Sequence, residues 1–370
     1  MKFTVDKEIF AKAMHQLSGV ILQKSTINIL FNALLEAKDD KLKITTTDLE
    51  ITLIKEIPAD IIEPGSIALP ARKLYEISRN IPTEEFEFTQ LDSKNVQIKG
   101  GALSYKLNGQ LKDEFPQTPD YDIEKNITVS QKELKSLINK TIISVSTDET
   151  RFTLMGVYLC VEDGYLIFVS TDGHRLSMGK FKEKLSVELG NNMIIPAKTL
   201  NTLKDLLEDN EEKKVEINLT KKENQILFTL ENSILISRLI TGEYPNYKSV
   251  VPSDFEMDII ISKNILIDST QRVGLMADSK RNSIKYEFKK GELIVNTITP
   301  EVGEGKEVVP IDFSGSPIEL LFNSKYITDI LKNIETENVI LKVINPTSPV
   351  LFLPADKEQN YKFVLMPMRL

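Results

Sequence analysis

The sequence predicts an α+β protein made of three topologically similar domains, each running strand, helix, several strands, helix, strands over about 120 residues. Three observations predict it. A strand-like run ending on a helix start occurs at Ile67-Ala68-Leu69-Pro70-Ala71-Arg72-Lys73-Leu74, at Met193-Ile194-Ile195-Pro196-Ala197-Lys198-Thr199-Leu200 and, more weakly, at Leu320-Leu321-Phe322-Asn323-Ser324-Lys325-Tyr326-Ile327, with lags of 126 and 127 between Pro70, Pro196 and Asn323. Other landmarks return at similar lags: Thr47-Asp48 with Thr171-Asp172 after 124 positions, and Glu114-Phe115-Pro116 with Glu243-Tyr244-Pro245 after 129. Finally, 41% hydrophobic and 27% charged residues are enough apolar surface for packed cores and exclude a mostly disordered chain.

The elements follow in order. Phe3-Thr4-Val5 predicts a strand and residues 7–20 a helix; a second helix covers 71–81, with apolar residues at 74, 77 and 81, and strands follow at 86–89, 96–99 and 103–107. The polar, proline-bearing stretch 115–125 ends the unit. Ile127-Thr128-Val129 opens the next, before a helix over 130–144 whose Ser130 and Glu133 fit a capping box. Residues 157–161, 165–170 and 174–181 read as a meander with Asp-Gly hairpins at Asp163-Gly164 and Asp172-Gly173. A helix over 197–208 and strands at 215–219, 226–230 and 234–240 complete it before the boundary at 244–254. The third unit opens on Ile259-Ile260-Ile261, continues in helices over 263–281 and 324–334, and closes with strands at 339–344, 350–353 and 361–366. The resulting domains are 1–122, 127–252 and 255–370.

Several function classes start from little. The one cysteine, Cys160, forms no internal disulfide and reads as a small buried hydrophobe. His15 and His174 are too far apart for a local ligand pair, so no metal is expected, and His15 reads as a surface or groove-facing residue. The sequence has no Gly-x-x-x-x-Gly-Lys-Ser/Thr, Gly-x-Gly-x-x-Gly or Gly-x-Ser-x-Gly motif, so no cofactor is expected. Charges occupy the N-terminus where a signal peptide needs an apolar run, and no apolar stretch approaches the ~20 residues that span a bilayer; a cytoplasmic protein without a membrane partner is the expectation. The sharpest motif is Ser170-Thr171-Asp172-Gly173-His174-Arg175-Leu176. An enzyme would use Asp172 and His174 as an acid/base pair; a hairpin turn followed by an edge strand is the simpler reading.

Charge is segregated. The six predicted helices sum to +8, which leaves −16 elsewhere in a chain of net −8. Lys and Arg are good helix formers, but that alone would bring comparable Glu, and these helices hold only Glu8, Glu76, Glu133 and Glu208. The other reading is a set of helices facing a polyanion. With no tryptophan and no base-reading motif, DNA would be met through phosphates only, without sequence preference. The chain end, Phe363-Val364-Leu365-Met366-Pro367-Met368-Arg369-Leu370, stays apolar where tails usually turn polar; it is either a docked final strand or, beyond Leu365, a peptide-docking patch.

Met1-Lys2-Phe3-Thr4-Val5, Thr47-Asp48-Leu49-Glu50, Leu69-Pro70-Ala71-Arg72-Lys73, Thr171-Asp172-Gly173-His174-Arg175-Leu176 and Met366-Pro367-Met368-Arg369-Leu370 together resemble the bacterial DNA polymerase III beta subunits, the sliding clamps, from first residue to last. The resemblance implies the DNA clamp fold: three clamp domains per chain and a head-to-tail homodimer closed around double-stranded DNA, its helices lining a ring and its antiparallel sheets outside. It implies no catalysis. It implies a pocket for short linear motifs of the polymerase III alpha subunit, the clamp loader, other polymerases and repair proteins. By position its apolar wall is Leu154, Leu176, Pro245, Val250, Val364, Leu365, Met366, Pro367 and Met368, with Arg369 beside them. Thr171, Gly173, His174 and Arg175 form the rim, with Asn323 and Tyr326 from the third domain. The DNA candidates are Lys24, Arg72, Lys73, Arg79, Arg151, Lys198, Lys280 and Arg281; Tyr105 and Leu107 would meet Leu275 and Met276 at the subunit seam. Lys248, Ser249, Arg281 and Pro349 depart from the usual pattern around the pocket.

Overall fold

In the first repeat, apolar residues at every second position of a strand give way to helical spacing within one residue. The computed structural model describes residues 1–22, 24–119, 121–185, 192–220, 224–300, 302–356 and 360–369, without the side chains of Glu124 and Lys125. β1 (Lys2–Asp6) runs into α1 (Lys7–Ser18), whose first turn is capped by Asp6 Oδ1 accepting the Ile9 N–H at 2.8 Å. There follow β2 (Asn32–Lys38), β3 (Lys41–Thr47), β4 (Ile51–Pro58), β5 (Asp60–Glu63), β6 (Gly65–Pro70), α2 (Ala71–Asn80), β7 (Glu85–Gln90), β8 (Asn95–Gly100) and β9 (Leu103–Asn108). The second repeat is β10 (Ile123–Ser130), α3 (Gln131–Ile142), β11 (Gly156–Glu162), β12 (Tyr165–Thr171), β13 (Arg175–Lys184), β14 (Met193–Pro196), α4 (Ala197–Leu206), β15 (Lys214–Thr220), β16 (Gln225–Leu230) and β17 (Ser233–Arg238). The third is β18 (Met257–Ser262), α5 (Lys263–Gly274), β19 (Ser283–Lys289), β20 (Glu292–Thr299), β21 (Gly303–Pro310), β22 (Ile318–Asn323), α6 (Ser324–Lys332), β23 (Asn338–Val343), β24 (Val350–Pro354) and β25 (Tyr361–Leu365). The threefold α+β repeat is therefore present, with one additional strand, β5, between the helices of the first repeat.

Packing groups these elements into two compact units, residues 1–132 with 198–239 and residues 133–197 with 240–370, so the middle repeat contributes to both. The first unit holds the antiparallel sheets β5-β1-β7-β8-β9 and β10-β15-β16-β17-β4-β3-β2-β6. Phe10, Ala13, Met14 and Leu17 of α1 are buried, and Phe3 stacks on Phe88 at 4.6 Å; each such aromatic contributes about 2–3 kcal/mol of burial. The second unit holds β14-β11-β12-β13-β25-β24-β23-β18 and β21-β20-β19-β22, with Leu266, Val273, Tyr286, Phe322, Ile330 and Phe363 in one core.

Three expectations are corrected. The helix predicted over 263–281 stops at Gly274, where 3₁₀-type bonds such as Met276 N–H to Val273 O at 3.1 Å end it, so Lys280 and Arg281 stand in a loop. The capping box does not form: Ser130 Oγ is buried with no hydrogen-bond partner among the described residues, and Glu133 Oε1 instead accepts the Lys182 N–H at 2.7 Å. Asp163-Gly164 is a two-residue hairpin, but Asp172-Gly173 belongs to a wider loop closed by the pair Thr171 and Leu176. The six observed helices still sum to +8. Among the described residues, no helix is long and apolar enough to cross a membrane.

Candidate functional site

The loops joining β3 to β4 and β12 to β13 share one construction. Asp48 Oδ1 accepts the N–H groups of Glu50 and Ile51 at 3.0 and 2.7 Å, and Asp172 Oδ1 accepts those of His174 and Arg175 at 2.9 and 3.0 Å. Thr47 and Thr171 each accept from the N–H two residues on and donate to the carbonyl four residues on. The residue after each aspartate lies in the left-handed region, Leu49 at φ 78° and Gly173 at φ 87°. An L residue there costs about 1 kcal/mol, but Leu49 is only 46% exposed, so deleting its side chain forfeits a comparable amount of burial. Leu49→Gly should therefore leave stability nearly unchanged, whereas Gly173→Ala should lower it by about 1 kcal/mol, read as a shift of the denaturant midpoint at constant slope.

This geometry removes the acid/base reading. The Asp172 carboxylate is committed to two backbone N–H groups and, through Oδ2, to Arg175 Nε at 3.1 Å. The His174 ring lies instead along the Tyr326 ring, 6.2 Å between centroids. Arg175, expected on the rim, is an internal tie: its side chain is 9% exposed, its Nη1 donates to Asp329 Oδ2 on α6 at 2.8 Å, and its guanidinium lies 4.3 Å from the Tyr326 ring centroid. Burial, and then the Asp172 charge, push the Tyr326 hydroxyl pKa up, with Arg175 pulling against them. Asn323 caps α6, its Oδ1 accepting the Lys325 N–H at 2.9 Å and its Nδ2 donating to the Arg281 carbonyl at 3.1 Å.

The chain end crosses the same loop. The Met366 N–H donates to the His174 carbonyl at 2.9 Å and the Met368 N–H to the Leu321 carbonyl on β22 at 2.7 Å. Met366 is exposed, Pro367 and Met368 are half-buried, and Leu370 lies outside the described residues. Beneath, Leu176 and Val364 join Val169, Tyr247 and Leu351 in an apolar cluster. Leu154 is buried, while Pro245 and Val250 are exposed. Leu365, expected in this wall, points the other way into the core with Phe363, because adjacent residues of β25 face opposite sides.

Sequence reasoning missed several neighbours. Arg151, grouped with the DNA cations, donates from Nη1 to the Asp172 carbonyl at 3.0 Å and so packs on the β12–β13 loop. Tyr158 stacks on Tyr244 at 4.8 Å, and Glu162 accepts from Tyr247 and from Lys248 Nζ, the latter at 2.8 Å. Burial pulls the Glu162 carboxyl pKa up, but these two donors prevail and hold it below the ordinary range. Only the Glu-Tyr-Pro landmark pointed here; the pairing needs tertiary structure.

The other cations differ in freedom. On α2, Arg72 and Lys73 share the one carboxylate of Glu76 at 3.2 and 2.7 Å, and Arg79 lies 5.7 Å from the Tyr75 ring centroid. Lys24 is exposed in the segment after α1. Lys198 is tied to Asp48 Oδ2 and to the Val20 carbonyl, 2.9 Å away. For the seam, Tyr105 and Leu107 are half-buried on β9, an edge strand. Leu275 is 81% exposed, and Met276 packs on Gly303 and Gly305 of the edge strand β21, where a Cβ would lie 3.2 Å from it. Among the described residues, no group of three or more His, Cys, Asp or Glu side chains is placed to hold a metal ion.

Sequence models of the DNA polymerase III beta subunit match in order: N-terminal domain at residues 1–119, central domain at 128–246 and C-terminal domain at 248–369. The chain is 32% identical to the beta sliding clamp of Bacillus subtilis over the whole of both chains, and 32% identical to that of Halalkalibacterium halodurans over 97% of each. Its structure is similar to that of the Pseudomonas aeruginosa sliding clamp bound to griselimycin, with TM-score 0.93, 29% identity and full coverage of both chains.

Proposed function

The chain belongs to the DNA polymerase III beta-subunit family, the beta sliding clamps, and from that premise we propose how its parts divide the work. It is a DNA polymerase processivity factor without catalytic activity. Two copies close head to tail into a ring around duplex DNA, and a polymerase held on that ring keeps a high effective concentration on its template. Each chain supplies domains 1–122, 127–252 and 255–370. The basic helices meet phosphates, with Lys24, Arg72, Lys73 and Arg79 as contacts and the loop cations Lys280 and Arg281 beside them. Met366, Pro367 and Met368, with His174, Tyr326, Leu176 and Val364, receive short peptides from the polymerase alpha subunit, the clamp loader, other polymerases and repair proteins. The ring works in the cytoplasm, where a bacterial chromosome lies.

The observation that carries the reading is the +8 on the helices of a chain of net −8. Sequence-blind phosphate contacts permit sliding, because no base-specific bond has to break at each step. Protein loaded on nicked circular DNA should persist through gel filtration and be lost when one restriction cut opens the circle. Equal loss from circle and line would sink topological linkage.

A further inference from the structure

Lys55 occupies a core-facing position of β4 and is 8% exposed, yet no carboxylate lies within ion-pairing distance of it among the described residues. Its ammonium donates to two neutral oxygens, Ser233 Oγ at 3.1 Å and Asn232 Oδ1 at 3.4 Å. It opens into a cavity of about 440 Å³ between α1, the end of α4 and the β16–β17 turn, with apolar walls that include Ile9, Ile57 and Leu206. The charged groups facing it are Lys12 on α1, Asp205 and Glu208 at the end of α4, and Lys213, which is paired with Glu231. A buried ammonium without an ion pair favours its neutral form, and a neutral lysine amine is a nucleophile.

We propose that Lys55 is an acylation site: a short-chain acyl phosphate enters this cavity and transfers its acyl group to Nζ. The neutral amine attacks the acyl carbon, the C–N bond forms, and the C–O bond to phosphate breaks. Phosphate leaves with the electron pair, and the amine proton goes to solvent. Ile9, Ile57 and Leu206 accept the acyl chain, Lys12 at the cavity mouth attracts the phosphate, and the amide N–H keeps the bond to Ser233 Oγ. Burial, helped by the Lys12 charge and opposed by Glu208, holds the Lys55 pKa down at about 8, so its reactivity should level off at a pH where exposed lysines are still gaining.

The test incubates the full-length protein with limiting acetyl phosphate from pH 7 to pH 10 and measures acetylation of each lysine by peptide mass spectrometry. Lys55 is expected to react roughly tenfold faster than Lys12 and Lys213 at pH 7.5 and to plateau above about pH 9. Lys55 unmodified, or modified at the rate and with the pH profile of those two mouth lysines, overturns the proposal.

Discussion

Deleting residues 366–370 is expected to abolish binding of a short linear-motif peptide from the polymerase alpha subunit, with affinity falling at least a hundredfold. The deletion removes the apolar surface of Met366, Pro367 and Met368. Three such side chains, at about 1–2 kcal/mol each when a partner covers them, exceed the ~2.7 kcal/mol that a hundredfold represents. It also frees the His174 and Leu321 carbonyls, which now accept from Met366 and Met368. The core is spared, because Phe363 and Leu365 remain. Fluorescence anisotropy with a labelled peptide measures the loss, and light scattering should still report two chains. Unchanged peptide affinity would refute this assignment of the pocket.

The repeat, the element order and most strands were legible because hydrophobic period and turn residues are local signals. The errors fall where tertiary structure decides. Residues 275–277 continue an apolar helical pattern past Gly274, so nothing local stopped α5 there, and Leu275 is left exposed. Val364 and Leu365 are both apolar, so strand parity sets them on opposite faces but which face meets the core was invisible until β25 paired with β13 and β24. Arg175 has a rim residue's chemistry, but Asp329, 154 positions away, draws it inward. Lys55 sits in the run Ile51–Pro58, and a charged residue at a core-facing position shows itself only when the sheet and α1 assemble. Distant ion pairs and the choice of which strand face meets which core are the parts a single sequence conceals.

Leu275→Asp is expected to turn the dimer into a monomer that melts at the wild-type temperature, since Leu275 is exposed within its own chain. An uncovered leucine forgoes about 2 kcal/mol, and a carboxylate forced into an apolar seam costs several more, so the dimer dissociation constant should rise at least a thousandfold. Sedimentation reads the mass; a dimer of unchanged affinity would move the seam elsewhere. Leu107→Asp, on the opposite face of a head-to-tail contact, should act alike. Mixing the two variants then separates head-to-tail from face-to-face pairing. In a head-to-tail dimer one seam collects both aspartates and the other is wild type, so the mixture regains the mass of two chains yet slips off circular DNA, because one gate stays open. In a face-to-face dimer every seam would carry a mutation and the mixture would stay monomeric. Recovery of mass without recovery of retention is thus the signature of a heterologous ring, and it requires both junctions to be closed for the ring to hold.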